Sequence, residues 1–141
     1  KGWLYEPTFD AIAQHKLNDA VIHTGYLPRS EALVLLRGAF ACVYPSLYEG
    51  FGLPVLEAMA SHVPVITSNV SSLPEVIGNT GIQVAPESID EIEGALENVL
   101  QHEEDARKRC ASANERAQRF TWEKSADALA SVYRAVAEGA A

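Results

Sequence analysis

The sequence has few of the features that mark membrane, secreted or metal-binding proteins. Its two cysteines, Cys42 and Cys110, are too few for a disulfide framework, and Cys42 lies in an apolar stretch where we expect a small core residue. No apolar run approaches the roughly 20 residues that span a bilayer, and no signal peptide is visible. We therefore expect a reduced, cytoplasmic protein.

Positive charge is also scarce. The 141 residues include 11 Lys and Arg against 19 Asp and Glu, giving a net charge of −8, and no Lys or Arg occurs between Arg37 and Arg107. Because phosphate backbones are bound by clustered Lys and Arg, this composition argues against a nucleic-acid partner. The four histidines are scattered and indicate no metal site. They are His15, His23, His62 and His102.

Short apolar segments alternate with segments of helical spacing along the chain. Strands are predicted at 21–24, 40–44, 64–67 and 81–84. Helices are predicted at about 9–17, 30–37, 54–61, 89–100, 105–119 and 122–137, and residues 71–78 are predicted to form a loop and a short helix. Ser30, Ser88 and Thr121 are the expected N-caps, with Glu91 completing a capping box. This alternation predicts an α/β fold with a parallel sheet covered on both faces, around one core.

The chain is organised around residues 49–57, with the sequence EGFGLPVLE. Two glycines follow a predicted strand, and Pro54 stands where a helix would begin, a position that tolerates proline well. Glycine lets a backbone approach a ligand closely, and the free N–H groups of a helix start form a natural anion site. The stretch therefore predicts a phosphate-facing turn with a carboxylate at each end, Glu49 and Glu57.

These residues, with several others in the same order, resemble the C-terminal, donor-binding domain of GT-B glycosyltransferases, in particular the retaining group 1 enzymes often called family 4. The resemblance covers nearly the whole chain and implies a Rossmann-like, doubly wound parallel sheet. The motifs that carry it are Pro45-Ser46, EGFGLP at 49–54 with Glu57, Pro64-Val65-Ile66, and Pro74-Glu75-Val76 with Gly78 and Gly81.

The resemblance implies a role for each end of this motif. Glu49, the candidate catalytic residue, would lie against the donor sugar and contact its hydroxyls. Glu57 would accept hydrogen bonds from the ribose hydroxyls. The amides that contact the sugar and diphosphate would be those of Gly50, Phe51, Gly52 and Leu53. The residues that lie against the base would be Gly25, Tyr26 and Leu27.

Function follows from the same resemblance. The parent enzyme would transfer a hexose from a UDP, GDP or ADP donor to a hydroxyl acceptor with retention, without a metal or other cofactor. The partner would be an N-terminal acceptor-binding domain, which this sequence lacks. Any peripheral contact with the inner face of the membrane would be made through the parent enzyme.

The opening of the family's domain is also missing. A strand, a helix and a second strand normally come first and carry an Arg and a Lys that hold the diphosphate. Lys1-Gly2 is similar to the family's Lys-Gly pair, but it lies only about 20 residues before Val21, too few for those elements. We therefore expect residues 1–141 to be a partial domain, either a fragment of a longer chain or an edge-paired oligomer.

Other interpretations stay open. Glu57 could merely complement the helix dipole, Glu49 could be a solvated loop residue, and Tyr26 could cap the sheet. At the level of function, a sugar-nucleotide epimerase of the same architecture and a non-catalytic sugar-nucleotide-binding module are the alternatives.

Overall fold

The computed structural model describes residues 5–139, so Lys1 and the interpretation attached to it lie outside the described residues. The described chain divides into two units, with the boundary between Ala32 and Leu33. The second unit contains the sheet and most of the helices, whereas the first contains one complete helix and a segment of turns and irregular backbone.

The first unit begins with α1 (Glu6–Gln14), which starts beside Pro7 and buries none of its residues. Its Phe9 ring meets the rings of Tyr5 and His23 edge to face, with centroids 5.7 and 5.3 Å apart. The helix predicted here is confirmed, although it begins three residues earlier than expected.

The strand predicted at 21–24 is wrong. These residues form no ladder within the part of the chain that the structure describes. A strand needs a neighbour to accept and donate its backbone hydrogen bonds, and β-branched composition at Val21 and Ile22 does not supply one.

Helix α2 (Arg29–Arg37) crosses the boundary between the units. Its predicted N-cap, Ser30, lies instead inside the first turn. The Pro28 carbonyl accepts from the amides of Glu31 and Ala32 at 3.0 Å each, so the helical hydrogen bonds already begin before Ser30. The hydrogen bonds of α2 therefore begin two residues before the predicted N-cap.

The sheet of the second unit has three parallel strands in the order β1 (Cys42–Tyr44), β2 (Val65–Ser68) and β3 (Ile82–Val84). Tyr44 pairs with Thr67, which pairs in turn with Gln83. Three of the four predicted strands are therefore confirmed to within two residues. The central strand β2 is buried at every position, as expected for a strand between two helical layers.

Helices cover both faces of β2. On one face, Val65 belongs to a core cluster with α3 (Leu53–Ala60), α4 (Leu73–Ile77) and α6 (Glu103–Ala117). On the other face, Ile66 packs with Val84 and with α5 (Ile89–Gln101). The predicted α/β fold with a parallel sheet covered on both faces is confirmed.

Two predicted helix caps are also confirmed. Ser88 accepts from the Glu91 amide at 3.3 Å. The other half of the predicted capping box is wrong, because the Ser88 amide donates to the Ala85 carbonyl and the Glu91 carboxylate accepts from the Ala85 amide at 2.7 Å. Thr121 accepts from the Lys124 amide at 3.3 Å and opens α7 (Trp122–Ala137). None of the helices between residues 5 and 139 combines the length and the apolar character needed to cross a membrane.

Candidate functional site

The carboxyl ends of β1 and β2 are joined by buried hydroxyl groups. Thr67 and Ser68 are both fully buried. Thr67 Oγ1 donates to the Tyr44 carbonyl at 3.0 Å, and Ser68 Oγ donates to the Ser46 carbonyl. A buried hydroxyl without a partner is costly, so these bonds fix the backbone where it leaves β1.

The backbone of Glu49 is held from the far side of the loop. The Glu49 amide donates to Ser71 Oγ at 3.1 Å, and Ser71 Oγ donates back to the Glu49 carbonyl at 2.6 Å. Ser72 Oγ donates to the same carbonyl at 3.0 Å. Both serines precede α4, so the loop after β2 and the loop after β1 support each other.

The Glu49 carboxylate is held by hydrogen bonds from residues at and just after the end of β1. Its Oε1 atom accepts from the Tyr44 hydroxyl at 2.6 Å and from Ser46 Oγ at 2.9 Å. Bonds to the ionised form favour it, so Tyr44 first and Ser46 second lower the pKa of Glu49 below its usual value. Burial, followed by the hydrogen bond and charge of Glu49, raises the pKa of Tyr44 to about 12.

The turn that follows depends on a glycine at one position. Gly52 is the N-cap of α3 and has a φ of 99°, a left-handed conformation that side chains rarely adopt. A Cβ atom there would lie 2.6 Å from Cδ2 of the buried Leu73. At Gly50, by contrast, a Cβ atom would meet nothing within 4 Å.

A run of backbone amides is left free at the start of α3. The first hydrogen bonds of this helix run from the amides of Val55 and Leu56 to the Gly52 carbonyl, at 3.1 and 3.2 Å. The preceding amides donate no hydrogen bond to any residue between 5 and 139. They are those of Gly50, Phe51, Gly52 and Leu53.

The side chain of Phe51 packs against the protein. Its ring lies edge to face with that of Phe120, with centroids 5.6 Å apart, and the Arg116 guanidinium lies 5.9 Å from the Phe120 centroid. Arg116 also donates from Nε to the Val76 carbonyl at 2.8 Å, at the end of α4. The turn is therefore fixed through a side chain as well as through its backbone.

The structure brings Glu49 and the four following residues together at the end of β1. Glu57 lies one turn further along α3 and is half-buried. The predicted base loop belongs to the first unit: Gly25 has a φ of 66°, Tyr26 is 95% exposed and Leu27 is half-buried. The roles predicted for Glu57 and for this loop stay predictions.

The sequence did not predict the side-chain hydroxyls that form hydrogen bonds with Glu49. Tyr44 was assigned only to a strand, Ser46 only to a motif, and Ser71 and Ser72 only to a segment with a loop and a short helix. A signal was present, because Tyr44 is the last residue of β1 and the serine pair follows β2, and both strands are parallel. Residues that follow neighbouring parallel strands meet at one edge of the sheet.

A separate cavity of about 250 Å³ lies at the opposite ends of these strands. It is bordered by Phe40 and Pro64, which come just before β1 and β2, and by the basic side chains of Arg37, His62 and Arg107. Arg107 already pairs with Glu103 at 2.7 Å. This cavity is thus distinct from the Glu49 loop.

Comparisons with known proteins agree with this geometry. The profile of the family described as glycosyl transferases group 1 matches residues 4–120. The chain is 36% identical over 136 residues to O-antigen chain mannosyltransferase B of Escherichia coli, covering 95% of this chain and 35% of that protein. It is 38% identical over 142 residues to glycogen synthase of Mycobacterium tuberculosis, covering 99% of this chain and 33% of that protein.

A solved structure shows the same fold. Sucrose-phosphate synthase from Thermosynechococcus elongatus superposes with a TM-score of 0.83 at 31% identity, over 95% of this chain and 34% of that one. The chain thus spans about a third of the length of each of these relatives. The family match covers well over half of the chain, and the resemblance that the motifs predicted is confirmed. This chain belongs to the group 1 glycosyltransferases, which have the GT-B fold.

Proposed function

We propose that this chain is the sugar-nucleotide-binding part of a longer glycosyltransferase, which transfers a hexose from a nucleoside-diphosphate donor to a hydroxyl acceptor. Retention of configuration and independence of metals are part of the proposal, as the family resemblance implies. The observation that carries it is the run of free amides at residues 50–53 directly after the hydrogen-bonded carboxylate of Glu49.

The diphosphate is the group that suits the helix start. Free amides and the positive end of the α3 dipole favour an anion, and the diphosphate gains charge as the sugar leaves. At an exposed site the dipole contributes only about 1 kcal/mol toward a charge. No Lys or Arg occurs between Arg37 and Arg107, so the remaining countercharge comes from another part of the enzyme.

The carboxylates suit the hydroxyl groups of the donor. Glu49, held as an anion, accepts from hydroxyls of the hexose, and Glu57 accepts from the ribose. A charged acceptor makes shorter and stronger hydrogen bonds to hydroxyl groups than a neutral one. Gly25, Tyr26 and Leu27 are proposed to lie against the base.

The relatives support a sugar substrate and a larger assembly. Their names denote mannosyl transfer, glycogen synthesis and sucrose-phosphate synthesis. Because the chain spans about a third of each relative's length, we propose that an acceptor-binding domain lies in the rest of the longer enzyme. A cytoplasmic location, with any membrane contact made through that domain, belongs to the same proposal.

Calorimetry of the full-length protein with UDP, GDP and ADP tests the proposal. Wild-type protein should bind at least one of them, and Glu57→Gln should weaken that binding by about 10- to 100-fold, the loss of a charge-assisted hydrogen bond. Glu97→Gln, at an exposed position of α5, is the matched control and should bind like wild type.

The same protein separates an enzyme from a binding module. Glu49→Ala should abolish sugar transfer while leaving the protein folded. Nucleotide binding by wild type without any transfer would support the non-catalytic module instead. Failure of all three nucleotides to bind would contradict the proposed function.

A further inference from the structure

We propose that Tyr44 and Ser46 are positioning residues, which hold one oxygen of the Glu49 carboxylate and turn the other toward a hydroxyl group of the donor sugar. The proposal rests on the proposed function, because it names how that site orients its sugar-binding carboxylate. It concerns two residues whose side chains sequence reasoning had given no role.

The two oxygen atoms of the Glu49 carboxylate differ in their hydrogen bonds. Oε1 accepts both hydrogen bonds, from the Tyr44 hydroxyl at 2.6 Å and from Ser46 Oγ at 2.9 Å. Oε2 accepts none from any residue between 5 and 139. A carboxylate has about four acceptor positions, so the two on Oε2 are left for a ligand.

Tyr44 makes the stronger of the two hydrogen bonds to the Glu49 carboxylate. Ser46 has a single hydroxyl proton and lies near two acceptors, Glu49 Oε1 at 2.9 Å and the Tyr48 carbonyl at 3.2 Å. Tyr44 has one acceptor, at a distance typical of a hydroxyl donating to an ionised carboxylate. The pKa directions agree, since Tyr44 makes the largest contribution to lowering that of Glu49.

Tyr44 and Ser46 are themselves held in place by hydrogen bonds from residues of β2. The carbonyl of Tyr44 accepts from the buried Thr67, and the carbonyl of Ser46 accepts from the buried Ser68. The Glu49 carbonyl accepts from Ser71 and Ser72, which use up its two lone pairs. With backbone and carboxylate both fixed, Oε2 has one orientation before any ligand arrives, and pre-organisation of this kind favours binding.

Glu49 therefore acts as a hydrogen-bond acceptor and does not transfer a proton. Two hydrogen bonds to the ionised form keep Glu49 charged to lower pH than an ordinary glutamate. Such a group accepts from a sugar hydroxyl throughout the neutral range. Loss of the Tyr44 hydroxyl should move the acid limit of sugar recognition to higher pH.

The test uses the full-length protein and two kinds of probe. These are the nucleotides UDP, GDP and ADP and the sugar nucleotides UDP-glucose, GDP-mannose and ADP-glucose. Tyr44→Phe should raise the Kd for the sugar nucleotide that binds by about three- to tenfold, the effect of one hydrogen bond. The Kd for the corresponding nucleotide should stay unchanged. Ser46→Ala should act in the same direction with a smaller effect, and Tyr133→Phe, at an exposed position of α7, should have none.

A second readout does not depend on any ligand. Carboxyl-detected NMR of the same proteins should show the pKa of Glu49 rising in Tyr44→Phe and staying at its wild-type value in Tyr133→Phe. An unchanged pKa, or an equal loss of affinity for nucleotide and sugar nucleotide, would overturn the positioning role while leaving the proposed function standing. If wild type binds no probe, the proposed function fails, and with it the assignment of Oε2 to a sugar.

Discussion

Two glycine-containing loops of this chain follow similar apolar segments, and they have different structures. In the first unit, the segment before Gly25 forms no ladder with any residue between 5 and 139, and both Ile22 and Tyr26 are exposed, at 84% and 95%. In the second unit, the loop at 49–53 follows a paired strand and Glu49 is hydrogen-bonded on both its backbone and its carboxylate. An apolar segment followed by a glycine turn thus makes a fixed loop only where a neighbouring strand supports it.

The largest expected effect separates β2, the strand that supports the loop at 49–53, from the apolar segment before Gly25. Ile66→Ala removes a fully buried side chain from β2 and leaves a cavity, so it should lower the free energy of unfolding by about 2–5 kcal/mol. Ile22→Ala, at an exposed position, should change it by less than about 0.5 kcal/mol. Urea unfolding followed by circular dichroism measures both.

Equal losses from the two isoleucine variants would contradict the comparison. They would mean that the first unit buries Ile22 as fully as β2 buries Ile66.

A smaller effect separates Gly52 from Gly25, two of the glycines with positive φ. Gly52→Ala should cost about 2–4 kcal/mol of unfolding free energy, because a left-handed conformation costs about 1–2 kcal/mol and the new methyl group overlaps Leu73. Gly25→Ala meets no atom within 4 Å and should cost only the conformational part, about 1 kcal/mol.

Gly50→Ala provides the control for the Gly52 variant. Gly50 shares the motif but has no positive φ and no neighbour within 4 Å of the added atom, so its variant should unfold like wild type. A loss as large as that of Gly52→Ala would show that the turn itself, rather than the contact with Leu73, limits stability.

Much of the fold was predictable because its signals are local. Several short patterns mark the end of a helix or strand to within a few residues. They are the apolar segment before Pro45, the caps Ser88 and Thr121, and the proline after Gly52. Whether residues 21–24 pair as a strand was not predictable in the same way. Such pairing depends on a partner strand, which no local pattern contains.

The site was predictable in part for the same reason. Glu49 and the amides after it are consecutive in the sequence, and the motif brings them to one helix start. The partners of the Glu49 backbone come from 22 and 23 residues away, at Ser71 and Ser72, and are brought near by the parallel pairing of β1 with β2. Only the register of the sheet shows which hydroxyl groups meet which carbonyls.

The most direct test of the proposed site is an amide NMR titration of the full-length protein with UDP, GDP and ADP. The largest shifts should fall on the amides of residues 50–53, which donate to no other described residue. Largest shifts at Arg37, His62 and Arg107, around the cavity at the opposite ends of the strands, would contradict it. So would the absence of any shift at 50–53 at saturating nucleotide.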